Sequence, residues 1–84
     1  MSYTLYFKNT AVKSIEKLPE KERGKVRAVL ESLADNPHTG KKLSGEYRGF
    51  YSVRAWPYRI MYTIIKKELV ILVVDVAHRE DVYK

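Results

Sequence analysis

The nine residues from Leu69 to Ala77 read Leu-Val-Ile-Leu-Val-Val-Asp-Val-Ala, apolar at odd and even positions alike. Successive side chains of a strand point to opposite faces, so a strand with this sequence is apolar on nearly both of its faces. It also needs a hydrogen-bonded neighbour on each side, because an apolar edge would template aggregation. The run is too short to cross a bilayer as a helix, which takes about 20 apolar residues. It therefore predicts an interior strand. The rest of the chain must supply two neighbouring strands and a covering layer.

One neighbour is the segment just before it. Tyr58 to Ile65 reads as a strand, joined to Leu69 by Lys66-Lys67-Glu68, and Phe50 to Ala55 reads as another, joined through Trp56-Pro57. Both connections are short enough for antiparallel hairpins. The second neighbour is at the N-terminus, where Tyr3, Leu5 and Phe7 alternate with Thr4 and Tyr6.

Helical periods lie between. Asn9 and Thr10 offer an N-cap, Ala11, Ile15 and Leu18 share a face, and Pro19 stops the segment. A second helix opens with Glu20 and Glu22, whose charges suit the positive end of its dipole. It carries the stripe Val26, Val29, Leu30, Leu33 and ends at Asp35-Asn36-Pro37. Gly24 costs it about 1 kcal/mol relative to alanine, so fraying of its first turns is expected. His38 to Gly49 is polar, contains Lys41-Lys42, and reads as a solvated loop.

The expected order is β-α-α-β-β-β: an α+β fold, with a helical hairpin packed on one face of a small, mainly antiparallel four-stranded sheet. Residues 1–84 are expected to form a single domain, ending in a short charged tail from Glu80 to Lys84. At this length folding buries only about 60 to 70% of the unfolded chain's surface. No cysteine is present, so packing alone holds the fold, without disulfides or a thiolate zinc site.

Sixteen Lys and Arg outweigh ten Asp and Glu, for a net charge of +6. A balance this basic raises the expectation of a polyanionic partner. Nine of the basic residues fall in 41–84, against five of the acidic ones. The opening Met-Ser-Tyr-Thr-Leu-Tyr-Phe-Lys lacks the pattern of a secretory signal, so a cytoplasmic, membrane-free protein is expected.

Strand alternation places Ser52 and Arg54 on one face of their strand, and Arg59, Met61 and Thr63 on the matching face of the next. If the helices cover the apolar side, Arg54 and Arg59 emerge together on the open side, near the Trp56-Pro57 turn. The last strand runs into His78-Arg79, which should approach Arg59, and Tyr83 follows in the tail. Guanidinium groups bind phosphate in a bidentate fork, His and Tyr move protons, and a tyrosine ring stacks on a base. Each arginine alone reads as a solvated surface residue, and Trp56 alone as a packing residue at a hairpin. The case rests on convergence. The two histidines are forty positions apart and the carboxylates show no ligand spacing, so no metal or other cofactor is expected. No serine sits in a nucleophile-elbow motif.

These residues resemble a known family. Lys42-Leu43-Ser44-Gly45, Tyr51-Ser52-Val53-Arg54, Tyr58-Arg59-Ile60-Met61-Tyr62, and Val76-Ala77-His78-Arg79 running to Asp81-Val82-Tyr83 are similar to the RelE/ParE superfamily of type II toxins, closer to its RelE branch. The resemblance implies a toxin that enters the ribosome, cleaves mRNA without a metal by attack of the substrate's 2′-hydroxyl, and is held inactive by a RelB-like antitoxin with an acidic amphipathic segment. DNA would be met only through that antitoxin. Carried over, Arg59 contacts the scissile phosphate and Arg54 neutralises phosphate or assists 2′-oxygen activation. Arg79 acts near the leaving group, Tyr83 orients or stacks the substrate, and His78 is a candidate acid. Ser52 departs from the lysine that some RelE proteins carry there, which implies either a weaker enzyme or one in which His78 or Arg54 substitutes. The superfamily also contains gyrase inhibitors that act by binding, and a catalytically silent, antitoxin-binding relative is a third possibility.

Overall fold

The structure is a computed structural model and describes residues 2–80. The apolar run is an interior strand of its sheet. β5 (Val70–His78) pairs antiparallel with β4 (Tyr58–Ile65) on one side and parallel with β1 (Thr4–Phe7) on the other, in the register Thr4↔Val70 to Phe7↔Val73. β3 (Tyr51–Ala55) pairs antiparallel with β4, and the sheet order is β1-β5-β4-β3-β2.

Between β1 and the hairpins run α1 (Asn9–Glu16) and α2 (Glu20–Asp35). They cover one face: Ala11, Val26, Leu30 and Leu33 join Ile60, Tyr62, Ile71, Val73 and Val76 in one buried cluster. Burying each large aliphatic side chain of such a cluster contributes about 1.5–3 kcal/mol. Two local expectations are revised. Lys8 is the N-cap of α1, with Asn9 and Thr10 inside the first turn, where the Thr10 hydroxyl donates to the Val74 carbonyl (2.6 Å) and fastens the helix to β5. α2 runs unbroken through Gly24, starting directly after Pro19. No helix among the described residues is long and apolar enough to cross a membrane.

Among the described residues the sheet has five strands rather than four. The segment read as a solvated loop contributes β2 (Lys41–Lys42), with Lys41 opposite Ser52 and Lys42 opposite Tyr51. A tether from the core accounts for it. Tyr62 is fully buried, and its hydroxyl donates to the Pro37 carbonyl (2.7 Å) while accepting from the Gly40 N–H (3.1 Å). Its ring stacks on Tyr51 at 5.4 Å, and Tyr51 meets the edge of His38 at 6.0 Å. Residues 37–40 are thereby held against the sheet, and the next two residues reach β3. Gly40 is required by close approach: a Cβ there would collide with the Tyr62 hydroxyl and lie 3.0 Å from the Ser52 carbonyl oxygen.

A β-bulge divides the β4–β5 ladder. From Ile65↔Val70 to Tyr62↔Val73 the register is regular; at Met61 the partner jumps to Asp75, leaving Val74 as the extra residue. Consequently the helix-facing positions of β5 are Ile71 and Val73 before the bulge and Val76 after it, a spacing of two and then three.

Tyr62 generates two predictions. Gly40→Ala should lower stability in urea by about 1–3 kcal/mol through overpacking, while alanine at the open Gly24 should not. Burial holds the Tyr62 hydroxyl above its usual value of 10.0, against the opposing effect of the Gly40 N–H. The folded state therefore keeps this proton more tightly than the unfolded state. The resulting stability is fully present below about pH 10 and is lost as pH rises through the folded value. Urea melts above pH 10 should show this decline. Tyr62→Phe should be weaker by about 1–3 kcal/mol at neutral pH, with Pro37 and Gly40 left unpaired, and should show a smaller alkaline decline.

Candidate active site

Residues directly opposite in adjacent antiparallel strands share a face. The pairs Val53↔Ile60, Tyr51↔Tyr62 and Ala55↔Tyr58 line the helix-covered side. Arg54↔Arg59 and Ser52↔Met61 therefore lie on the uncovered side, with Ala77 opposite Arg59 on β5. Arg54 is exposed and Arg59 half-buried. The two arginines stand face to face at the end of the hairpin, and among the described residues neither has a carboxylate ion-pair partner. Two like charges directly opposite cost about 0.2–1 kcal/mol. Among the described residues the two positive charges are left without a carboxylate to neutralise them.

Arg79 joins this end of the sheet. Its backbone N–H donates to the Pro57 carbonyl (2.8 Å), and its guanidinium lies 5.2 Å from the centroid of the Trp56 ring. The bulge accounts for this side of the sheet. Without the extra residue, Ala77 rather than His78 would face Tyr58, and the residues after it would exchange faces.

His78 is placed apart from the arginines. It pairs with Tyr58, its ring meeting that ring edge-on at 5.6 Å and 89°, and Tyr58 packs against the buried cluster. Its Nδ1 accepts from the Glu80 N–H (3.3 Å), with a Glu80 carboxylate oxygen at 4.0 Å. The expected approach of the strand end to Arg59 is therefore revised: Ala77 is opposite Arg59, Arg79 meets the Trp56-Pro57 turn, and the imidazole packs against Tyr58. Tyr83 lies outside the described residues.

Lys41 is a residue that sequence reasoning missed. Its register with Ser52 sets it on the arginine face, one strand over. Ser52 itself is only 5% exposed, and its hydroxyl has no hydrogen-bond partner among the described residues. A positive charge thus stands beside the serine, supplied by the neighbouring strand. Nothing in the pattern of residues 38–49 signals a two-residue strand; Gly40 before it is the one hint. Asp75, opposite Met61 on the same face, is occupied by the Ser14 hydroxyl (3.0 Å) and the Val76 N–H (2.8 Å). Among the described residues no cluster of His, Cys, Asp or Glu is placed to hold a metal ion.

A helical hairpin on one face of a mixed sheet, with arginines on the other, is the arrangement expected from the resemblance to the RelE/ParE superfamily of toxins, and known proteins bear the resemblance out. The family model for the ParE toxin of the type II toxin–antitoxin system, parDE, matches residues 5–83, and the chain belongs to this family. It is 34% identical over 89 residues to Toxin RelG of Mycobacterium tuberculosis (strain ATCC 25618 / H37Rv), covering 100% of this chain and 99% of that protein. The toxin–antitoxin complex RelBE2 from Mycobacterium tuberculosis contains a chain similar in structure at a TM-score of 0.88 and 31% identity, covering 96% of this chain and 95% of that one. The isolated E. coli RelE toxin matches at 0.81 and 26%, covering 92% and 84%. The protein is a type II toxin of the RelE/ParE family.

The facing arginines make a stability prediction. Arg54→Gln relieves the repulsion without emptying a packed site, so it should leave the fold intact and raise stability by about 0.2–1 kcal/mol at low salt. The gain should shrink in high salt as the pair is screened. Urea melts at two ionic strengths measure both.

Proposed function

We propose that this toxin is a ribosome-dependent endoribonuclease that cuts mRNA and thereby stops translation. The observation that carries the reading is the Arg54/Arg59 pair: two opposed guanidiniums on the uncovered face, with no carboxylate partner among the described residues, suit a phosphodiester. In the proposed reaction the 2′-oxygen loses its proton and bonds to the adjacent phosphorus, and the bond to the 5′-oxygen breaks. That oxygen takes up a proton, leaving a 2′,3′-cyclic phosphate and a 5′-hydroxyl. Negative charge grows on the phosphorane, where fixed cations in a site that excludes water contribute most.

Arg59, half-buried and so held more firmly than its partner, is assigned to the phosphorane oxygens. Arg54 and Lys41 supply charge on the 2′-oxygen side, and Arg79 charge at the leaving group. Tyr83 remains the candidate for substrate orientation and proton transfer. His78, with its ring against Tyr58, is given no direct contact with substrate. A cognate antitoxin is the proposed second partner: an acidic amphipathic segment complements this basic chain, and the related RelBE2 toxin is found in a toxin–antitoxin complex.

The ParE family match favours a second reading, a toxin that poisons DNA gyrase by binding. The two separate after brief induction without antitoxin. Mapping of mRNA 5′ ends should give new ends confined to translated frames, and Arg59→Ala should reduce them about 10²- to 10³-fold. A DNA damage response with no new ends, or undiminished cutting by Arg59→Ala, would count against the nuclease.

A further inference from the structure

Trp56 is the one tryptophan of the chain, and the reaction outlined above does not use it. As a hairpin packing residue it should be covered, yet it is 57% exposed. The other large exposed apolar residues among those described lie elsewhere. Tyr6, Phe7 and Val12 are on β1 and α1, and Ile65 and Leu69 are at the opposite end of β4 and β5. Among the described residues Trp56 is therefore not part of a continuous apolar patch of the kind a protein segment would cover. Its surroundings are cationic. The turn it opens joins Arg54 to Arg59, and the guanidinium of Arg79 lies 5.2 Å from its ring centroid, within cation–π range. The main chain of Arg79 is itself pinned to Pro57 (2.8 Å). The indole is thus oriented by a cation whose backbone is fixed.

We infer that Trp56, oriented by Arg79, is a stacking platform for a nucleobase next to the phosphate held by Arg54 and Arg59. Trp56 follows Arg54 by two residues, about 7 Å along an extended chain, comparable to the span of one nucleotide. A flat aromatic surface beside a cationic phosphate site is the arrangement by which proteins hold single-stranded nucleic acid, and it tolerates sequence because every base has a π-face. The subsite rests on the ribonuclease reading. It adds that substrate is gripped through a base as well as its backbone, and that purines, with the larger rings, bind it better.

Because no other tryptophan is present, fluorescence excited at the red edge of the absorption band, where the seven tyrosines do not absorb, reports on this residue alone. The probe is a short 2′-O-methyl RNA, which lacks the attacking hydroxyl, compared with the same oligonucleotide made abasic at one position at a time. Titration is carried to concentrations at which anisotropy of a labelled copy shows binding to the full chain. Quenching by the intact oligonucleotide that is largely lost at one abasic position is expected. Equal quenching by all of them, or none in the bound state, would overturn the subsite. So would quenching by an acidic apolar peptide and not by RNA.

A second arm measures cleavage of ribosome-bound mRNA. Trp56→Ala should cut about tenfold more slowly, Trp56→Phe should restore most of the rate, and thermal melts should show both folded. Native rates in Trp56→Ala beside a silent Arg59→Ala would remove the subsite and keep the nuclease. An uncut message with the native chain would remove the nuclease itself.

Discussion

The hydrogen bonding of β5 on both sides is the constraint from which the other features follow. A strand apolar on nearly both faces must lie between partners, and here it lies between a parallel β1 and an antiparallel β4. The parallel neighbour cannot be joined by a tight turn, so the chain leaves β1 through the two helices before returning. Those helices bury one face of the sheet and leave the other open. Arg54 and Arg59 are on the open side because they alternate with Val53 and Ile60, which the helices cover.

The bulge at Val74 is the second determinant. It lets β5 face the helices with Ile71 and Val73 at one end and with Val76 at the other. Its effect at the far end is to set His78 against Tyr58 and to bring Ala77 to Arg59. The extra residue is held by α1, through Thr10 to the Val74 carbonyl and Ser14 to the Asp75 carboxylate. Packing of the first helix and composition of the candidate site are thus coupled through one irregularity in the ladder. Bulges recur next to active sites because they re-aim side chains.

The order of elements was legible because their periods are distinct: alternation in Tyr3 to Phe7, the stripe from Val26 to Leu33, and the double-sided run from Leu69. The facing of Arg54 and Arg59 was legible too, since a two-residue connection fixes hairpin register. The bulge was not, because in a run that is apolar nearly throughout, a spacing of two cannot be told from a spacing of three. The separation of His78 from the arginines was hidden for that reason. β2 was hidden for another: two lysines carry no period, and their pairing depends on the Tyr62 hydroxyl reaching Pro37 and Gly40 from distant sequence. Lys41 was accordingly overlooked on the arginine face.

The central functional claim is that the open face stabilises attack by the substrate's own 2′-hydroxyl. Its most direct test is a ribosome-bound message carrying a single 2′-deoxynucleotide on the 5′ side of a mapped cut. The account predicts that cleavage at that phosphate disappears while cuts elsewhere persist, and that unmodified cuts end in 2′,3′-cyclic phosphate and 5′-hydroxyl. Continued cleavage at the deoxy position would contradict it, because the nucleophile would then have to come from somewhere other than the RNA.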